Sequence, residues 1–530
     1  MTLRQNGRAA VRGVWHGCSR WAKAHRYLGV MLLLIAVIGS YAFVGSAGKA
    51  GFPWPAYMHF YDQLAEGFRQ GHLHISEDPH PDLLRQTNPY DPVHVKLWRS
   101  DLSLYRGKYY LYWGPLPALL QAGAKAALRI DHLVGDQYLV FSFFSLCMVF
   151  GSILIRRVAR RAFVAIPPGL VLAGVLAFAY ANPTTHLIAS GGVYQAAIAG
   201  AQAFLLLGLL FGFSAVTHDA SDQEPRRRLL LAGAAWGLAL TCRVSVAPAV
   251  VLLGLATAWA TGWARGGWRR LLQSGIWMAL PVVLSCVGLL WYNKLRFDAW
   301  FDFGTAQQLT TWKYGFSSKY VWANLYSYAL RPFESACEFP QVRPGWNPGP
   351  KVLPNWVTLP EGYYINEPLV GWLRVVPIAW AGAIALVVAV LEVWRRPRRH
   401  GEPALLARRR RTYVWCVACF ALLGTVTGFP SLGLYLATMR YLGDVTNGLV
   451  LLGVMGAFTL YAYTSKPLLR RFVQASIVAG CAATAVLGLM LGYQGYTGHF
   501  KRHNPSLDAR LVKALSTCPD ASLRQLSLQR

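Results

Sequence analysis

Charged side chains are scarce in this sequence, and acidic side chains are the scarcest. Of 530 residues, 14% are charged and 54% are hydrophobic, with 52 Lys or Arg against 23 Asp or Glu. This composition excludes a soluble globular chain, because apolar runs of about 20 residues recur from end to end and each is long enough to cross a bilayer as a helix. We therefore predict an all-α, polytopic integral membrane protein.

Nucleotide-binding motifs are absent from the sequence. It contains no G-x-x-x-x-G-K-[ST] phosphate-binding loop and no convincing G-x-G-x-x-G. A metal site is not indicated either, because the spacing of the histidines in the first large loop is too irregular for a ligand set. These histidines are His59, His72, His74, His80 and His94. The sequence therefore indicates no cofactor, and a divalent metal is left open.

Cysteine is infrequent, with nine residues. Cys416 and Cys419 form a C-x-x-C, but they lie in an apolar run without a second pair, which favours a structural role over a redox or zinc site. Cys337 and Cys518 both fall in segments predicted to be extracytoplasmic. An oxidising compartment would allow these two cysteines to pair.

The net charge of +29 raises the question of a nucleic-acid partner. The basic residues, however, form short clusters between apolar runs and lack the interleaved aromatics of a nucleic-acid surface. Such clusters are typical of cytoplasmic loops under the positive-inside rule. No nucleic acid is therefore expected as a partner. The clusters are Arg156, Arg157, Arg160 and Arg161; Arg226 to Arg228; Arg265, Arg269 and Arg270; Arg395, Arg396, Arg398 and Arg399; Arg408 to Arg411; and Lys466, Arg470 and Arg471.

The apolar runs predict about eleven transmembrane helices. The first, Tyr27 to Ala47, follows a basic tail and is longer than the roughly 7 to 15 apolar residues of a signal peptide, so we expect an uncleaved helix with a cytoplasmic amino terminus. The other predicted crossings are Gln137 to Ile155, Ala162 to Tyr180, Tyr194 to Phe213, Leu229 to Thr241, Val246 to Thr261, Leu271 to Tyr292, Leu369 to Leu391, Tyr413 to Phe429, Gly448 to Tyr463 and Val473 to Leu491.

The segment Tyr110 to Leu128 is apolar enough to be a twelfth crossing. Counting it would place the cluster at Arg156 to Arg161 outside, and the segment also contains Pro115 and Pro117. We therefore predict an interfacial or re-entrant helix in the outer leaflet. With this topology, nearly all carboxylates lie outside, which is where chemistry is expected.

These boundaries divide the chain into consecutive parts. A basic cytoplasmic tail occupies 1–26, and an amino-terminal transmembrane module occupies 27–292 and includes an extracytoplasmic loop at 48–135. A second large extracytoplasmic loop follows at 293–367. The carboxy-terminal transmembrane helices span 368–494, and an extracytoplasmic tail covers 495–530.

Three stretches carry a resemblance to a known family. Phe60 to Gly67 reads F-Y-D-Q-L-A-E-G, and it is followed by N-P-Y-D-P at Asn88 to Pro92 and by D-L-S-L-Y-R-G-K-Y-Y-L-Y-W-G-P-L-P at Asp101 to Pro117. This resembles the first outer loop of bacterial GT-C membrane glycosyltransferases. The motifs Y-N-K-L-R-F-D at Tyr292 to Asp298, F-D-F-G at Phe301 to Gly304 and R-Y-L-G-D at Arg440 to Asp444 resemble signatures of an uncharacterised branch of that superfamily.

This resemblance implies a GT-C-like fold and a specific activity. Members use polyprenyl-phosphate sugars, so the expected partners are a polyprenyl-phosphate-linked sugar donor, a glycan or lipid acceptor and membrane lipids. A carboxylate would deprotonate the acceptor hydroxyl, cations would stabilise the departing lipid phosphate, and an apolar groove would hold the polyprenyl tail. The implied location is the bacterial inner membrane, with the active face periplasmic.

The catalytic candidates are Asp62 and Asp101. Asp62 stands alone where better-known members carry an Asp-Glu pair after the first helix, and the alternative is that it only caps or solvates an interfacial helix. Asp101 can equally be an ordinary turn or helix-cap aspartate. We prefer Asp62 as the base, because it lies on a helix near the membrane, where acceptor and donor can meet.

The substrate-binding candidates are aromatic, cationic and acidic residues of the same stretches. Lys108, Tyr110 and Tyr112 can contact sugar or phosphate, or belong to an interfacial aromatic belt. Phosphate binding by an arginine competes with snorkelling, and the acids can simply pair with such arginines. The remaining candidates are Asp91, Arg243, Arg296, Asp302, Arg440 and Asp444, with Glu367 as a further possible ion-pair partner. The second outer loop offers His186, Tyr194 and Gln195 but no acid.

Two other functions remain open at this stage. A flippase or transporter for a lipid-linked glycan would show charges at mid-membrane depth and two related halves. The ionisable residues here collect outside, and the halves do not repeat. A non-catalytic subunit for envelope assembly is the third hypothesis, because the departures from the family pattern are compatible with lost activity.

Overall fold

Helices make up most of the chain. The computed structural model describes residues 28–218, 225–311, 315–346, 354, 357–394, 403–496 and 498–518. The helices are α1 (Leu28–Gly45), α2 (Phe60–Arg69), α3 (Pro81–Leu84), α4 (Leu116–Leu128), α5 (Gln137–Arg161), α6 (Pro168–Tyr180), α7 (Thr184–Ala189), α8 (Val193–Val216), α9 (Pro225–Cys242), α10 (Ala247–Ala258), α11 (Ala264–Phe297), α12 (Val321–Ala329), α13 (Trp372–Val375), α14 (Gly382–Trp394), α15 (Ala404–Val426), α16 (Phe429–Leu432), α17 (Leu442–Tyr463), α18 (Pro467–Gln494), α19 (His499–His503) and α20 (Pro505–Leu515).

Extended structure in the described ranges is limited to three two-stranded pairs. The pairs β1–β2 and β3–β4 are antiparallel, whereas β5–β6 is parallel. The strands are β1 (Ser103–Tyr105), β2 (Lys108–Tyr110), β3 (Glu334–Ser335), β4 (Val342–Arg343), β5 (Tyr364–Ile365) and β6 (Leu436–Ala437). Each pair lies in or beside a large loop rather than in the helical bundle.

The prediction of an all-α polytopic fold is confirmed. In the described ranges, ten helical stretches are long and apolar enough to cross a membrane, one fewer than predicted. The difference is α9, which contains the predicted crossing at Leu229 to Thr241. Its 18 residues include Arg226, Arg227 and Arg228 in the first turn, which lowers its apolar character. It still packs lengthwise between α8 and α11 in the same bundle.

Helices α8 and α17 lie at the centre of the bundle, where most of their residues are buried. Glycines allow α17 to approach its neighbours closely. A Cβ added to Gly456 would lie 1.7 Å from the carbonyl oxygen of Ala381, and one added to Gly448 would lie 2.2 Å from the amide nitrogen of Gly424. Small residues at such crossings let helices pack by backbone contact, the main source of helix association in lipid.

The predicted interfacial segment forms a hairpin strand followed by a short helix. Tyr110 ends β2, and α4 begins six residues later at Leu116. The 13 residues of α4 span about 20 Å, which is less than the roughly 30 Å of a hydrocarbon core. Helix α4 packs against α2 instead of extending the bundle. Its depth in the outer leaflet stays a prediction.

A disulfide joins the second large loop to the end of the chain. Cys337 and Cys518 are bonded, with 4.8 Å between their Cα atoms, so the two cysteines proposed as partners do pair. Hydrogen bonds reinforce the junction, from the amide of Thr517 to the carbonyl of Cys337 and from the amide of Phe339 to the Ser516 hydroxyl. The loop and the tail therefore lie on the same side of the bundle.

Reporter fusions will test the orientation of this bundle. Fusions after Arg161, Arg270 and Arg411 are expected to report the cytoplasm, because these positions follow basic clusters. Fusions near His80, Trp346 and Ser506 are expected to report the periplasm. A periplasmic signal after Arg161 would make α4 part of a true crossing and would contradict the predicted topology.

Candidate active site

Asp62 lies in a closed ionic lock between α2 and α4. Its side chain is 0% exposed, and its Oδ1 is 2.9 Å from Lys125 Nζ on α4, whose side chain is 2% exposed. Its Oδ2 accepts hydrogen bonds from the amides of Val134 and Gly135. Both carboxylate oxygens of Asp62 are thus engaged in contacts within the protein.

Asp136 completes this lock from the other side. Its carboxylate accepts hydrogen bonds from the amides of Phe60, Tyr61 and Asp62 at 3.0–3.2 Å, which satisfies the first turn of α2. Burial raises the pKa of the Asp136 carboxyl well above its ordinary value, and these amide donors oppose that rise. Asp62 and Asp136 therefore fasten α2 to the start of α5 by reciprocal amide contacts.

Asp101 is placed very differently, at the entrance to the β1–β2 hairpin. Its side chain is only partly buried, and its Oδ1 accepts a hydrogen bond of 2.9 Å from the Tyr194 hydroxyl. Its φ of +69° lies in the left-handed region, which Asp tolerates better than most non-glycine residues and which often marks functional sites. No other described residue donates a hydrogen bond to its carboxylate in the structure.

Tyr194 is the centre of the contacts around Asp101. It opens α8, accepts a hydrogen bond of 3.1 Å from the Tyr112 hydroxyl and packs edge-to-face on Trp113. The guanidinium carbon of Arg440 lies 4.1 Å from the centre of its ring. We call Asp101, Tyr112, Tyr194, Arg440 and Glu367 the aromatic–ionic cluster.

Glu367 joins this cluster through strand register. The parallel pair β5–β6 aligns Tyr364 with Leu436 and Ile365 with Ala437, so the residues that follow each strand emerge side by side. Glu367 Oε1 lies 2.6 Å from Arg440 Nη1, and its Oε2 accepts the Arg440 amide. The side chains of Arg440 and Glu367 are 13% and 4% exposed.

A second ion pair stands one helical turn further along. Asp444 follows Arg440 by four residues and lies in the first turn of α17, whereas Arg440 lies in the 3₁₀ turn just before that helix. Its Oδ2 lies 2.9 Å from Arg243 Nη2, and Arg243 Nε donates to the Ser245 hydroxyl. The sequence-based alternative that Glu367 and Asp444 pair with arginines is therefore confirmed for both acids.

Arg296 braces the loop that carries Tyr112. It is 3% exposed, and it donates to the carbonyl of Leu111 and, at 2.7 Å, to Asn293 Oδ1. Its guanidinium carbon lies 3.9 Å from the Tyr292 ring centre and 4.7 Å from that of Phe297. The Y-N-K-L-R-F-D motif thus forms a support for the cluster, and Arg296 does not snorkel to an interface.

The F-D-F-G motif forms a turn that packs against Ser103, the first residue of β1. Asp302 accepts hydrogen bonds from the Gly304 amide at 2.7 Å and from the Gln307 side chain at 2.9 Å. Gly304 has φ +84°, and a Cβ there would lie 2.8 Å from the Ser103 hydroxyl, which donates to the Gly304 carbonyl. Asp302 therefore shapes the second loop against Ser103.

Three other predicted binding residues lie outside the cluster contacts. Asp91 accepts the Val93 amide at the start of a 3₁₀ turn, which is turn chemistry. Lys108 pairs with exposed Asp78 at 2.8 Å. Tyr110 packs edge-to-face on Phe297, and burial raises its hydroxyl pKa. Among the described residues, no group of three or more His, Cys, Asp or Glu is close enough to hold a metal ion.

An apolar groove is lined in part by Pro115, three residues after Tyr112 in the chain. It has a volume of about 550 Å³ and lies between α2, α4, α9 and α11. Thr241 lines it two residues before Arg243, and Tyr292 lines it four residues before Arg296. Its apolar side chains include Phe68, Leu73, Leu116, Leu119, Leu238 and Leu289. The groove lining is thus mostly apolar, and Arg243 and Arg296 follow two of its lining residues closely in the sequence.

The sequence assigned no role to two residues that shape the cluster. From the sequence, Tyr194 is only one of three residues offered by an outer loop without acids. Nothing in the sequence distinguishes Trp113 from the aromatics around it. Trp113 also stacks on Tyr112, with ring centres 3.8 Å apart. The available signal is the composition of Tyr109 to Trp113, in which four aromatics directly follow a lysine.

Two solved structures can be superposed on most of this chain. ArnT from Cupriavidus metallidurans bound to undecaprenyl phosphate is 13% identical, with a TM-score of 0.43 over 91% of this chain and 79% of that chain. The apo oligosaccharyltransferase from Archaeoglobus fulgidus is 12% identical, with a TM-score of 0.44 over 88% of this chain and 56% of that chain. The chain spans little more than half the length of the oligosaccharyltransferase. No protein-family model and no curated protein matches the sequence.

An Arg296→Lys variant is expected to be less stable than the parent although it keeps the charge. An ammonium cannot hold the planar contacts of the guanidinium with Leu111, Asn293 and the flanking rings. Loss of one charge-assisted hydrogen bond costs about 1.5–3 kcal/mol. Thermal unfolding of the purified protein in detergent measures this loss. Parental unfolding in Arg296→Lys would show that the brace is dispensable.

Proposed function

We propose that this protein is a membrane glycosyltransferase that moves a sugar from a polyprenyl-phosphate donor to a glycan or lipid acceptor on the periplasmic face of a bacterial inner membrane. Asp101 is the catalytic base in this proposal. The carrying observation is that Tyr194 contacts both the Asp101 carboxylate and the Arg440 guanidinium. The segment that follows Tyr112 lines an apolar groove through Pro115. A base, a cation and a site for a lipid tail are the three elements such a reaction requires.

The proposed reaction has a simple balance of bonds. The acceptor hydroxyl oxygen forms a bond to the anomeric carbon of the sugar, and the bond from that carbon to the phosphate oxygen breaks. Asp101 takes the proton of the acceptor hydroxyl, and polyprenyl phosphate leaves with the bonding electrons. Asp101 suits this role because one of its oxygens is oriented by Tyr194 and its side chain is partly exposed.

Arg243 and Arg440 are the proposed partners of the leaving phosphate. Each already faces a carboxylate on one edge, so their positions are fixed before substrate arrives. A guanidinium so held can bind two phosphate oxygens without paying the full entropy of ordering a long side chain. Arg243 lies nearest in sequence to the groove, and we place the donor phosphate at that end.

Asp62 has a supporting role in the proposal. Its lock with Lys125 holds α2 against α4, and both helices line the apolar groove through Phe68, Leu116 and Leu119. Asp62 thus maintains the groove and does not contact the acceptor.

Lipid-linked precursors from cells that lack this protein will test the proposed activity. Mass spectrometry is expected to show a precursor or envelope glycan that is one sugar smaller than that of the parent, and the gene supplied in trans should restore it. Accumulation of the complete lipid-linked glycan would favour a flippase instead. An unchanged glycan profile would contradict the transferase proposal.

A further inference from the structure

Helix α12 of the second large loop has polar side chains on its buried side and apolar side chains on its exposed side. Asn324 and Ser327 are 0% and 2% exposed, whereas Trp322 and Leu325 are 67% and 42% exposed. Trp322 and Leu325 are three residues apart and therefore lie on one face of the helix. A helix that borders a core in water has the reverse pattern, because burial of apolar surface stabilises it there.

Hydrogen bonds fix this orientation of α12. The side-chain amide of Asn324 donates to the carbonyls of Leu432 at 2.9 Å and Leu434 at 2.6 Å. Its side-chain carbonyl accepts the Tyr363 hydroxyl at 3.1 Å. Rotation of α12 about its axis would break these bonds and leave buried polar groups unpaired, which is costly. The outward direction of the apolar face is thus set by the contacts of the polar face.

The apolar face of α12 continues onto two neighbouring segments. Phe316 precedes the helix, forms an antiparallel bridge with Leu434 and is 67% exposed. Phe429 opens α16, which contacts α12, and is 68% exposed. We call Phe316, Trp322, Leu325 and Phe429 the exposed apolar patch. Contiguous apolar surface of this kind marks a contact with protein or with a membrane.

The exposed apolar patch adjoins the end of a membrane-spanning stretch. Ala404–Leu432 is long and apolar enough to cross a membrane, and it contains α15 followed by α16. Phe429 is one of the last four residues of this stretch. The patch therefore continues the apolar surface of the stretch at one of its ends, where membrane proteins are enriched in tryptophan.

We infer that the outward face of α12 lies in the membrane, with the exposed apolar patch among the lipid acyl chains of the leaflet next to the second large loop. The nine residues of α12 span about 14 Å, which is too short to cross a hydrocarbon core of roughly 30 Å. The helix therefore lies along the interface. The inference does not depend on the proposed sugar transfer, because the patch contains no residue of the aromatic–ionic cluster.

Contact with lipid has a consequence for the segment that bears Arg440. The Tyr328 hydroxyl on α12 accepts a hydrogen bond of 3.3 Å from the amide of Thr438, two residues before Arg440. Helix α12 therefore joins the lipid surface on one side to the start of this segment on the other. The membrane is in this way a structural partner of the second large loop as well as of the helical bundle.

Spin labels on the purified full-length protein in liposomes of phosphatidylethanolamine and phosphatidylglycerol will test this inference. Trp322→Cys and, separately, Leu325→Cys are labelled with a nitroxide, and the unsubstituted protein treated in the same way gives the background of the native cysteines. Val93→Cys is the matched control, because Val93 is also apolar and is 74% exposed, but it lies in a 3₁₀ turn with His94 and Lys96. Collisions of the label with oxygen, which concentrates in hydrocarbon, are compared with collisions with a water-soluble nickel chelate.

Collisions with the nickel chelate are expected to be largely lost at positions 322 and 325 and retained at position 93, while collisions with oxygen are more frequent at 322 and 325. Equal access of the chelate to all three positions would show that α12 faces water and would overturn the inference. Loss of both kinds of collision at 322 and 325 would show that protein covers the patch, from this chain or a second copy, and would overturn it as well. If one of the two variants fails to accumulate, the other decides, because both labels lie on the same face.

Discussion

An Asp101→Asn variant is expected to accumulate in the membrane like the parent and to lose sugar transfer by about 10²- to 10⁴-fold, the usual contribution of proton abstraction. Asparagine keeps the shape of the side chain, tolerates the left-handed backbone at this position and can still accept the Tyr194 hydroxyl. It cannot take a proton from the acceptor. The measurement is the rate at which the variant restores the mature glycan in cells that lack the parental protein, normalised to its amount in the membrane.

Asp78→Asn is the matched control for this experiment. Asp78 belongs to the same large loop, but it is exposed and contacts only Lys108 among the ion pairs of the described chain. Parental turnover is expected for this variant. Parental turnover in Asp101→Asn as well would remove Asp101 from the mechanism and require another base.

An Asp62→Asn variant is expected to fail at an earlier stage, in folding. Removing one partner of a buried ion pair leaves the other charge uncompensated, which costs about 3–5 kcal/mol. Here the remaining charge is Lys125, at 2% exposure, whose next acidic neighbour is Glu66 at 3.8 Å, and the amides of Val134 and Gly135 lose a charged acceptor. The expected result is a strong decrease in the amount of protein in the membrane and in its unfolding temperature.

A double variant separates this structural role from catalysis. Asp62→Asn combined with Lys125→Gln removes both charges, so protein amount and stability are expected to recover in large part. Turnover per molecule should recover with them. If Asp62→Asn instead accumulates normally and is inactive, Asp62 is the base that the sequence first indicated.

The helices were predictable because lipid imposes a simple requirement on the sequence. A membrane-spanning segment must satisfy its backbone hydrogen bonds within the helix and present apolar side chains to lipid. Each such helix is therefore one long apolar run, and hydropathy alone places α5, α8, α17 and α18. Helix α9 is less apolar than its neighbours because three arginines stand in its first turn. The apolar run Leu229 to Thr241 still predicts it as a crossing, and its packing against α8 and α11 places it in the bundle.

The site was harder to predict because its contacts join distant parts of the chain. Lys125 lies 63 residues after Asp62, on a helix whose composition suggests contact with lipid, so the burial of this pair has no local signal. Glu367 meets Arg440 only through the register of β5 and β6. Short strands of two residues carry no periodicity that would specify such a register.

Because Glu367 meets Arg440 through the pairing of β5 with β6, the site cannot be completed until Arg440 has been synthesised. Asp101 and Arg440 are 339 residues apart (440 minus 101), so at about 5–20 residues per second the ribosome needs roughly 17–70 s to pass from one to the other. Tyr194 and the second large loop are synthesised during that interval, but Arg440 becomes available only at its end. A nascent chain released before β6 therefore lacks Arg440 and cannot form the pair with Glu367, so premature products of this protein should insert into the membrane without activity.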